Sequence, residues 1–418
     1  MKKTQVGAWV IHHGRKIENV AKAAAHYSAI DTAAKAATLL SRMAASNQSQ
    51  LSRDQVQALG AAGGLNPKTE LLICLDQLEQ QAVINVGADG GVETLGITNN
   101  SALQHAADLF EHNSPNSYER AAIELGELAS QEPVLQQRAA EYIEDSFQLS
   151  STESKQFLMQ SSQIGFVDHE GEGNDRLLFN GNLFRNGNIE KTKKVLDSLS
   201  PTEAALVSEL FESLAKSGAM EQSKVELLLG KSLMSKLRAA AMFDESVIAN
   251  DTGEFTFVTA PSAFHKFISP MEDDAFDQAK ALVAALKYGM SISSEHRGRI
   301  WGISLLLKKL LRGEEVGPAP AIGEDYRALE LDGVVAIRKE RNRCFMKLRK
   351  RDVGEIALQV LTDGDASAAV LEKLPGAAVN RYEGPEQLRF EFRRKTQTAP
   401  SKKQTEDMLR AMRSGGGL

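Results

Sequence analysis

The densest group of charged side chains in the sequence lies between residues 338 and 351. Eight cations occupy these fourteen positions, and Glu340 is the only acidic residue among them. The cations are Arg338, Lys339, Arg341, Arg343, Lys347, Arg349, Lys350 and Arg351. Two-residue alternation along a strand puts Arg343, Lys347 and Arg349 on one face and Cys344, Met346 and Leu348 on the other. An arginine-rich hairpin of this kind suits phosphate or minor-groove contact, although charges also protect an exposed edge strand from aggregation.

A second cationic group runs from Gly230 to Arg238 and contains no acidic residue. On a helix, Lys231 and Ser235 lie four residues apart and Lys236 adjoins the same face, so that the three point together into a groove. Arg238 extends the charge, while the leucines between these positions pack inward. The alternative is an ordinary amphipathic helix with a cationic surface.

Potential metal ligands are dense only at Asp168, His169 and Glu170, with Glu172 and Asp175 close by. Carboxylates with one imidazole suit a divalent cation for phosphodiester cleavage, which makes a metal-dependent nuclease a minor alternative. The glycine- and asparagine-rich context favours a simple polar loop instead. The sequence contains no phosphate-binding loop, no nucleophile elbow, no zinc-protease motif and no dinucleotide fingerprint. We therefore predict no catalytic residue, no metal site and no cofactor, and favour a protein that is not an enzyme.

Helical periodicity dominates the chain, and three hairpin patterns interrupt it. The helices with the clearest spacing are predicted at Ser28–Ala45, Ser117–Ser130, Val134–Leu149 and Pro201–Lys216. The hairpin turns lie at 87–91, 250–253 and 339–342, and the first two contain Asp-Gly or Asn-Asp-Thr-Gly, which accept positive φ at low cost. Before each hairpin stand two helical stretches and a third helix, which is predicted over Lys231–Met242 in the second case and over Ala321–Leu331 in the third.

This order resembles the winged helix-turn-helix superfamily at the level of the fold. The resemblance covers about Ile30–Phe110, Pro201–Phe267 and Phe276–Leu361, a little over half of the chain. It implies tandem winged-helix domains in a mainly α protein with small β-hairpins, joined by a helical insert. The predicted divisions are a first winged-helix-like domain at 1–113, a helical insert with a Gly/Asn-rich loop at 114–199, a second such domain at 200–274, a third, basic one with an extra hairpin at 275–395, and a flexible tail at 396–418.

Charge is distributed unevenly along the chain. The whole sequence has a net charge of -6, but Tyr326–Lys403 contains 17 basic and 11 acidic residues. A basic section on an acidic body often binds a polyanion, so the leading hypothesis is a DNA-binding regulator or a recognition subunit of a larger bacterial complex. The runner-up is a scaffold whose winged helices bind proteins.

The first predicted winged helix differs from the other two because its third helix is acidic. Lys68 is outnumbered there by Glu70, Asp76 and Glu79. This helix repels phosphate, so we expect it to bind a protein partner or a second copy of the chain. With two distant cysteines, no long apolar run and no signal sequence, we expect a cytoplasmic protein without disulfides or membrane contact.

Overall fold

The computed structural model describes residues 1–18, 20, 26–46, 50–94, 99–184, 189–267, 274–341 and 343–367. Over these residues the fold is mainly helical, with small three-stranded antiparallel sheets, as the sequence predicts. The extra hairpin predicted within 377–394 and the tail predicted at 396–418 lie outside the described residues.

The helices occupy most of the described chain. Their bounds are α1 Lys3–Glu18, α2 Ser28–Ala45, α3 Arg53–Ala62, α4 Glu70–Gln80, α5 Asn99–His112, α6 Ser117–Gln131, α7 Gln136–Phe147, α8 Ser151–Ile164, α9 Ile189–Asp197, α10 Pro201–Ser217, α11 Gln222–Ala239, α12 Pro261–His265, α13 Asp274–Ser291, α14 Ile303–Leu311, α15 Ile322–Asp325, α16 Arg327–Leu331 and α17 Arg351–Asp363. The strands are β1 Gln50–Leu51, β2 Ile84–Val86, β3 Val92–Thr94, β4 Val134–Leu135, β5 Asp168–Glu170, β6 Leu177–Phe179, β7 Met220–Glu221, β8 Asp244–Asn250, β9 Gly253–Thr259, β10 Val316–Ala319, β11 Val335–Glu340 and β12 Arg343–Leu348.

Within the described residues, one order of elements occurs four times: a helix, a short strand, two helices and two strands. In every sheet the short first strand pairs with the last strand, which also pairs with the middle one. We name these units module 1 (28–94), module 2 (117–179), module 3 (201–259) and module 4 (303–348). In module 3 the two central helices are the halves of α11, which separate at Gly230, where φ is 74°. The three predicted units correspond to modules 1, 3 and 4.

Module 2 was not predicted from the sequence. We predicted a helical insert with a loop over 114–199, but β5 and β6 form a hairpin there and β4 pairs with β6. Strands of three residues carry little alternation, and glycine and asparagine dominate the connection between them. A second difference concerns the helix predicted at Ala321–Leu331, which is divided into α15 and α16 at Tyr326.

The same turn joins the third helix to the hairpin in all four modules. One residue with positive φ ends the helix, and the N–H of the following residue donates to the carbonyl five positions back, which is the Schellman arrangement. The turn residues are Ala82, Gly165, Ala241 and Gly333, with φ of 54°, 90°, 52° and 68°. The hydrogen bonds run from Val83 to Leu78, Phe166 to Ser161, Met242 to Leu237 and Val334 to Leu329, at 2.8 to 3.2 Å. All four donors are buried, so each turn anchors its hairpin to the module core.

A partly buried polar cluster connects α1, module 2 and the segment that follows module 3. Glu127 accepts hydrogen bonds from Trp9 Nε1 at 2.8 Å and from Lys266 Nζ at 2.9 and 3.1 Å. The Trp9 ring also packs edge-on against Phe267, with ring centroids 4.8 Å apart. The Glu127 side chain is 14% exposed, and these partners offset the hydration that it has lost, so Glu127 links all three segments.

Module 1 and module 2 are joined by a second buried carboxylate, Glu119. Its Oε1 accepts the N–H groups of Ala29 and Ile30 at the start of α2, at 2.6 and 3.2 Å. Nearby, burial lowers the pKa of His13 to about 3, so its imidazole is neutral and donates from Nε2 to the carbonyl of Ala122 at 3.0 Å. The Glu119 contact joins module 2 to module 1, and the His13 contact joins module 2 to α1.

Two of the four Schellman turns use alanine where glycine is favoured, and this generates a stability prediction. We expect Ala82→Gly and Ala241→Gly each to raise the free energy of unfolding by about 1 kcal/mol, because a Cβ is unfavourable in the left-handed region. Gly333→Ala should have the opposite effect, since its Cβ would meet open space and only backbone strain would change. Chemical denaturation of the three variants measures this; destabilisation by both glycine variants would contradict it.

Candidate nucleic-acid interface

The hairpin formed by β11 and β12 has the two faces that the sequence predicts. Cys344, Met346 and Leu348 are buried, while Arg343 and Lys347 are exposed on the opposite side of β12. The register is regular from Val335↔Leu348 to Glu340↔Arg343. The hairpin therefore packs on its module through one face and presents cations to solvent with the other.

Arg338 is held in place by its neighbours in the sheet. Its guanidinium pairs with Glu315 at 2.9 Å and with Glu340 at 3.2 Å, and it lies 4.3 Å from the ring centroid of Phe345. The hydrogen bond from Arg338 lowers the pKa of Glu315, so both groups remain charged at neutral pH. This predicted site residue is thus partly neutralised by carboxylates of its own module.

Five other cations of the cluster are exposed and make no ion pair with any residue that the structure describes. They are Lys339, Arg341, Arg343, Lys347 and Arg349. The last two predicted positions differ, because Lys350 donates to Gln278 Oε1 at 2.9 Å and Arg351 pairs with Glu355 at 2.6 Å. The cationic surface of the hairpin is therefore smaller than the run of charges in the sequence.

The tip of the hairpin places a cation on a strained backbone. Arg341 has φ of 55°, in the left-handed region that asparagine and glycine adopt most easily. A guanidinium at this position extends the charge of β12 to the end of the hairpin. Such local strain at an exposed charge is typical of functional sites.

The cationic helix of module 3 is largely neutralised within its own module. Lys236 pairs with Glu203 at 3.1 Å, and Arg238 pairs with Glu245 at 2.6 Å. A backbone hydrogen bond from Ser200 and the bond from Lys236 lower the pKa of Glu203 to about 2. Lys231 and Ser235 are exposed on this helix, as predicted. The elements packed most extensively against the module 4 hairpin are β10, α14, α15 and α16, so α11 is not part of the same packed surface.

The hairpin of module 3 packs against neighbouring helices. At its tip, Asn250 Nδ2 donates to Asp325 Oδ1 at 2.9 Å, and the hydroxyls of Thr252 and Tyr288 are 3.1 Å apart. Asp325 belongs to module 4 and Tyr288 to α13. The tip of the module 3 hairpin is therefore occupied by contacts within the chain, whereas the module 4 hairpin presents cations to solvent.

The third helix of module 1 exposes apolar and acidic side chains. Leu72 is 60% and Ile73 is 53% exposed, and Asp76 and Glu79 are exposed on the turns that follow. Glu70, in contrast, pairs with Lys35 at 2.8 Å and so belongs to the packing of the module. The exposed leucine and isoleucine are a feature that the charge-based reading did not include.

The potential metal ligands and the thiols of the described residues are dispersed or buried. These residues contain no group of three or more His, Cys, Asp or Glu side chains able to hold a metal ion. Asp168, His169 and Glu170 form β5, where alternation directs His169 to the face opposite the two carboxylates. Both cysteines are buried, and burial raises the pKa of the Cys74 thiol to about 12. None of the described helices combines the length and apolar character that membrane crossing requires.

Comparisons of the chain with models of protein families, with curated proteins and with solved structures gave no match.

The strained tip generates a prediction about stability. We expect Arg341→Asn to raise the free energy of unfolding by about 0.5 to 1 kcal/mol, because asparagine tolerates the left-handed backbone better than arginine. Arg349→Asn removes the same charge from a residue without positive φ and should give no such gain. Urea denaturation compares the two; an equal effect of both variants would assign the gain to charge and not to strain.

Proposed function

We propose that this chain is a nucleic-acid-binding protein built from four tandem winged-helix modules. The proposal is supported by the repeated element order and by the sheets, in which the short strand after the first helix pairs with the last strand of the hairpin. In such modules the third helix and the hairpin, or wing, are the parts that reach DNA. Of the four hairpins, we assign the principal DNA contact to that of module 4.

The observation that carries this assignment is the set of five exposed cations on one hairpin, Lys339, Arg341, Arg343, Lys347 and Arg349. Phosphate neutralisation by lysine and arginine supplies most of the affinity of non-specific DNA binding. Carboxylates pair with Lys236 and Arg238 in module 3, whereas these five side chains are available for phosphates. The hairpin is also anchored to the module core by Cys344, Met346 and Leu348, so its cations stay on the face exposed to solvent.

Module 4 is suited to contacting the DNA backbone and not to reading bases through its helix. Its third helix, α16, has only five residues, and Glu330 and Asp332 lie at its exposed end. A single turn of helix with acidic side chains does not insert into a major groove lined by phosphates. We therefore infer that binding through this module depends weakly on sequence.

The main test removes the charges of the hairpin. For Arg343→Gln, Lys347→Gln and Arg349→Gln together, we expect the plot of log affinity against log salt to flatten by roughly 0.9 for each duplex phosphate that the variant no longer neutralises. The weakening should be similar for unrelated sequences, because phosphate contacts carry no base information. Fluorescence anisotropy with labelled duplexes at several salt concentrations measures it, and Arg341→Asn should weaken binding in the same assay.

A matched control separates the hairpin from total charge. Arg138→Gln, Lys155→Gln and Lys191→Gln remove three exposed cations from other surfaces and change the net charge equally. This control should keep the wild-type salt slope. An unchanged slope in the folded hairpin variant would exclude the hairpin from the interface, and a wild type that binds no duplex at low salt would refute the proposal.

The exposed face of α4 supports a second role, binding to a protein, which is the scaffold alternative. Leu72 and Ile73 offer an apolar surface, and Asp76 and Glu79 give it a negative rim. Interfaces between proteins commonly combine an apolar centre with a polar edge. We propose that α4 binds a protein partner or a second copy while module 4 binds DNA.

Charge reversal on α4 tests this division of roles. We expect Asp76→Lys with Glu79→Lys to reduce self-association in sedimentation velocity, and to leave duplex affinity equal or higher because the added cations attract phosphate. Glu70 is kept, since its pair with Lys35 stabilises module 1. Weaker DNA binding by the folded variant would show that α4 touches DNA directly. If the wild type forms oligomers and the variant associates to the same extent, α4 is excluded as the contact between copies.

A further inference from the structure

Trp301 is an exposed tryptophan on the loop that precedes module 4. The chain has two tryptophans: Trp9 is 1% exposed in the core, whereas Trp301 is 77% exposed. Leaving a large aromatic ring in water forgoes the free energy gained by burying it. Such a ring is typical of surfaces that bind a ligand or a partner.

The position of Trp301 is fixed by contacts of its loop. Arg299 Nε donates to the carbonyl of Met290 at 3.1 Å, and the guanidinium lies 5.4 Å from the Trp301 ring centroid. The loop approaches β10 at Gly298, where φ is 103° and a Cβ would stand 2.4 Å from the Cβ of Ala319. Any other residue at this position would push the loop away from the sheet. These contacts place the ring at the edge of the loop, beside the Arg299 guanidinium.

A cavity of about 310 Å³ lies beside this ring. Ile300, Pro318 and Met346 give it apolar walls, and Gly302 and Gly317 also line it. The cavity thus combines apolar walls with an aromatic ring at its side.

One buried carboxylate lines the same cavity. The Asp325 side chain is 1% exposed, and its Oδ1 accepts from Asn250 at 2.9 Å and Arg297 at 3.0 Å. Its Oδ2 has no hydrogen-bond partner among the described residues. Desolvation raises the pKa of this carboxyl group. An acceptor in this position suits the N–H groups on the edge of a nucleobase.

The cavity and the cationic hairpin belong to one small sheet. β10 lines the cavity and is the edge strand beside β12. Met346, on the packed face of β12, also lines the cavity, whereas Arg343 and Lys347 lie on the opposite face, so a strand that reaches both passes over the β10 edge of the sheet. A ligand with a flat aromatic group on an anionic backbone matches both surfaces, and single-stranded nucleic acid has this chemistry. We propose that the Trp301 cavity binds an unpaired nucleobase of a strand whose phosphates lie on the β11–β12 hairpin. This inference rests on the proposed function and specifies its substrate: nucleic acid with an unpaired segment.

Trp301 itself reports on the binding. We expect an oligothymidylate of about ten nucleotides to quench tryptophan fluorescence of the wild type, but not of Trp301→Phe, in which only the buried Trp9 remains. Trp301→Ala should lower affinity for this oligonucleotide roughly five- to a hundredfold, while Trp301→Phe retains most of it because a phenyl ring still stacks. Blunt duplex should bind all three proteins equally, and a duplex with a single-stranded extension should bind the wild type more tightly than blunt duplex.

The control is Tyr142→Ala, which removes an exposed aromatic side chain from module 2. It should leave both affinities unchanged. If duplex binds through the hairpin but saturating oligothymidylate leaves the fluorescence of Trp301 unchanged, the cavity inference is wrong and the proposed function stands. If no nucleic acid binds at low salt, the proposed function fails first. Loss of self-association in Trp301→Ala, with oligonucleotide affinity unchanged, would assign the ring to a protein contact.

Discussion

The hairpin of each module has only three to seven residues per strand, and strand pairing alone does not fix the position of so short a hairpin. The turn at the end of the third helix fixes this position with one left-handed residue and a buried neighbour that hydrogen-bonds back into the helix. The geometry is common to Ala82, Gly165, Ala241 and Gly333, although the residue types differ. In module 4 this turn, together with the apolar face of β12, sets the direction of every cation that we assign to DNA.

Packing between modules decides which surfaces remain available. Glu127 joins Trp9 and Lys266, and Glu119 joins the start of α2 to module 2, so these two carboxylates link α1, modules 1 and 2 and the segment after module 3. The tip of the module 3 hairpin is committed to Asp325 and Tyr288. Asp325 therefore has two roles, because the same side chain receives that hairpin and lines the Trp301 cavity.

The two cationic segments are both rich in lysine and arginine, but they differ in how many of their cations pair with nearby carboxylates. Glu203 and Glu245 neutralise most of the α11 face, and Glu315 and Glu340 neutralise Arg338. The remaining hairpin cations concentrate at the tip and along β12. A polyanion gains the most binding free energy from cations that have no carboxylate partner within the protein, because it then displaces only water and small counterions. This reasoning favours module 4 for DNA and leaves α4 of module 1 for a protein.

Elements with local signals could be predicted from the sequence alone. Periodicity and the capping box at Ser200 and Glu203 predicted α10, and α2 begins and ends where its spacing indicated. Alternation in β12 predicted its buried and cationic faces correctly, because strand geometry fixes that relation between neighbouring residues.

Features formed by residues far apart in the sequence became evident only in the folded chain. Module 2 escaped detection because β4 pairs with β6 across more than forty residues, and such short strands leave no pattern of their own. The ion pairs of Lys236 and Arg238 join residues from different elements, so the charge that remains at the surface could not be read from composition. The Trp301 cavity likewise exists only where the loop before module 4 meets β10, since neither segment contains it alone.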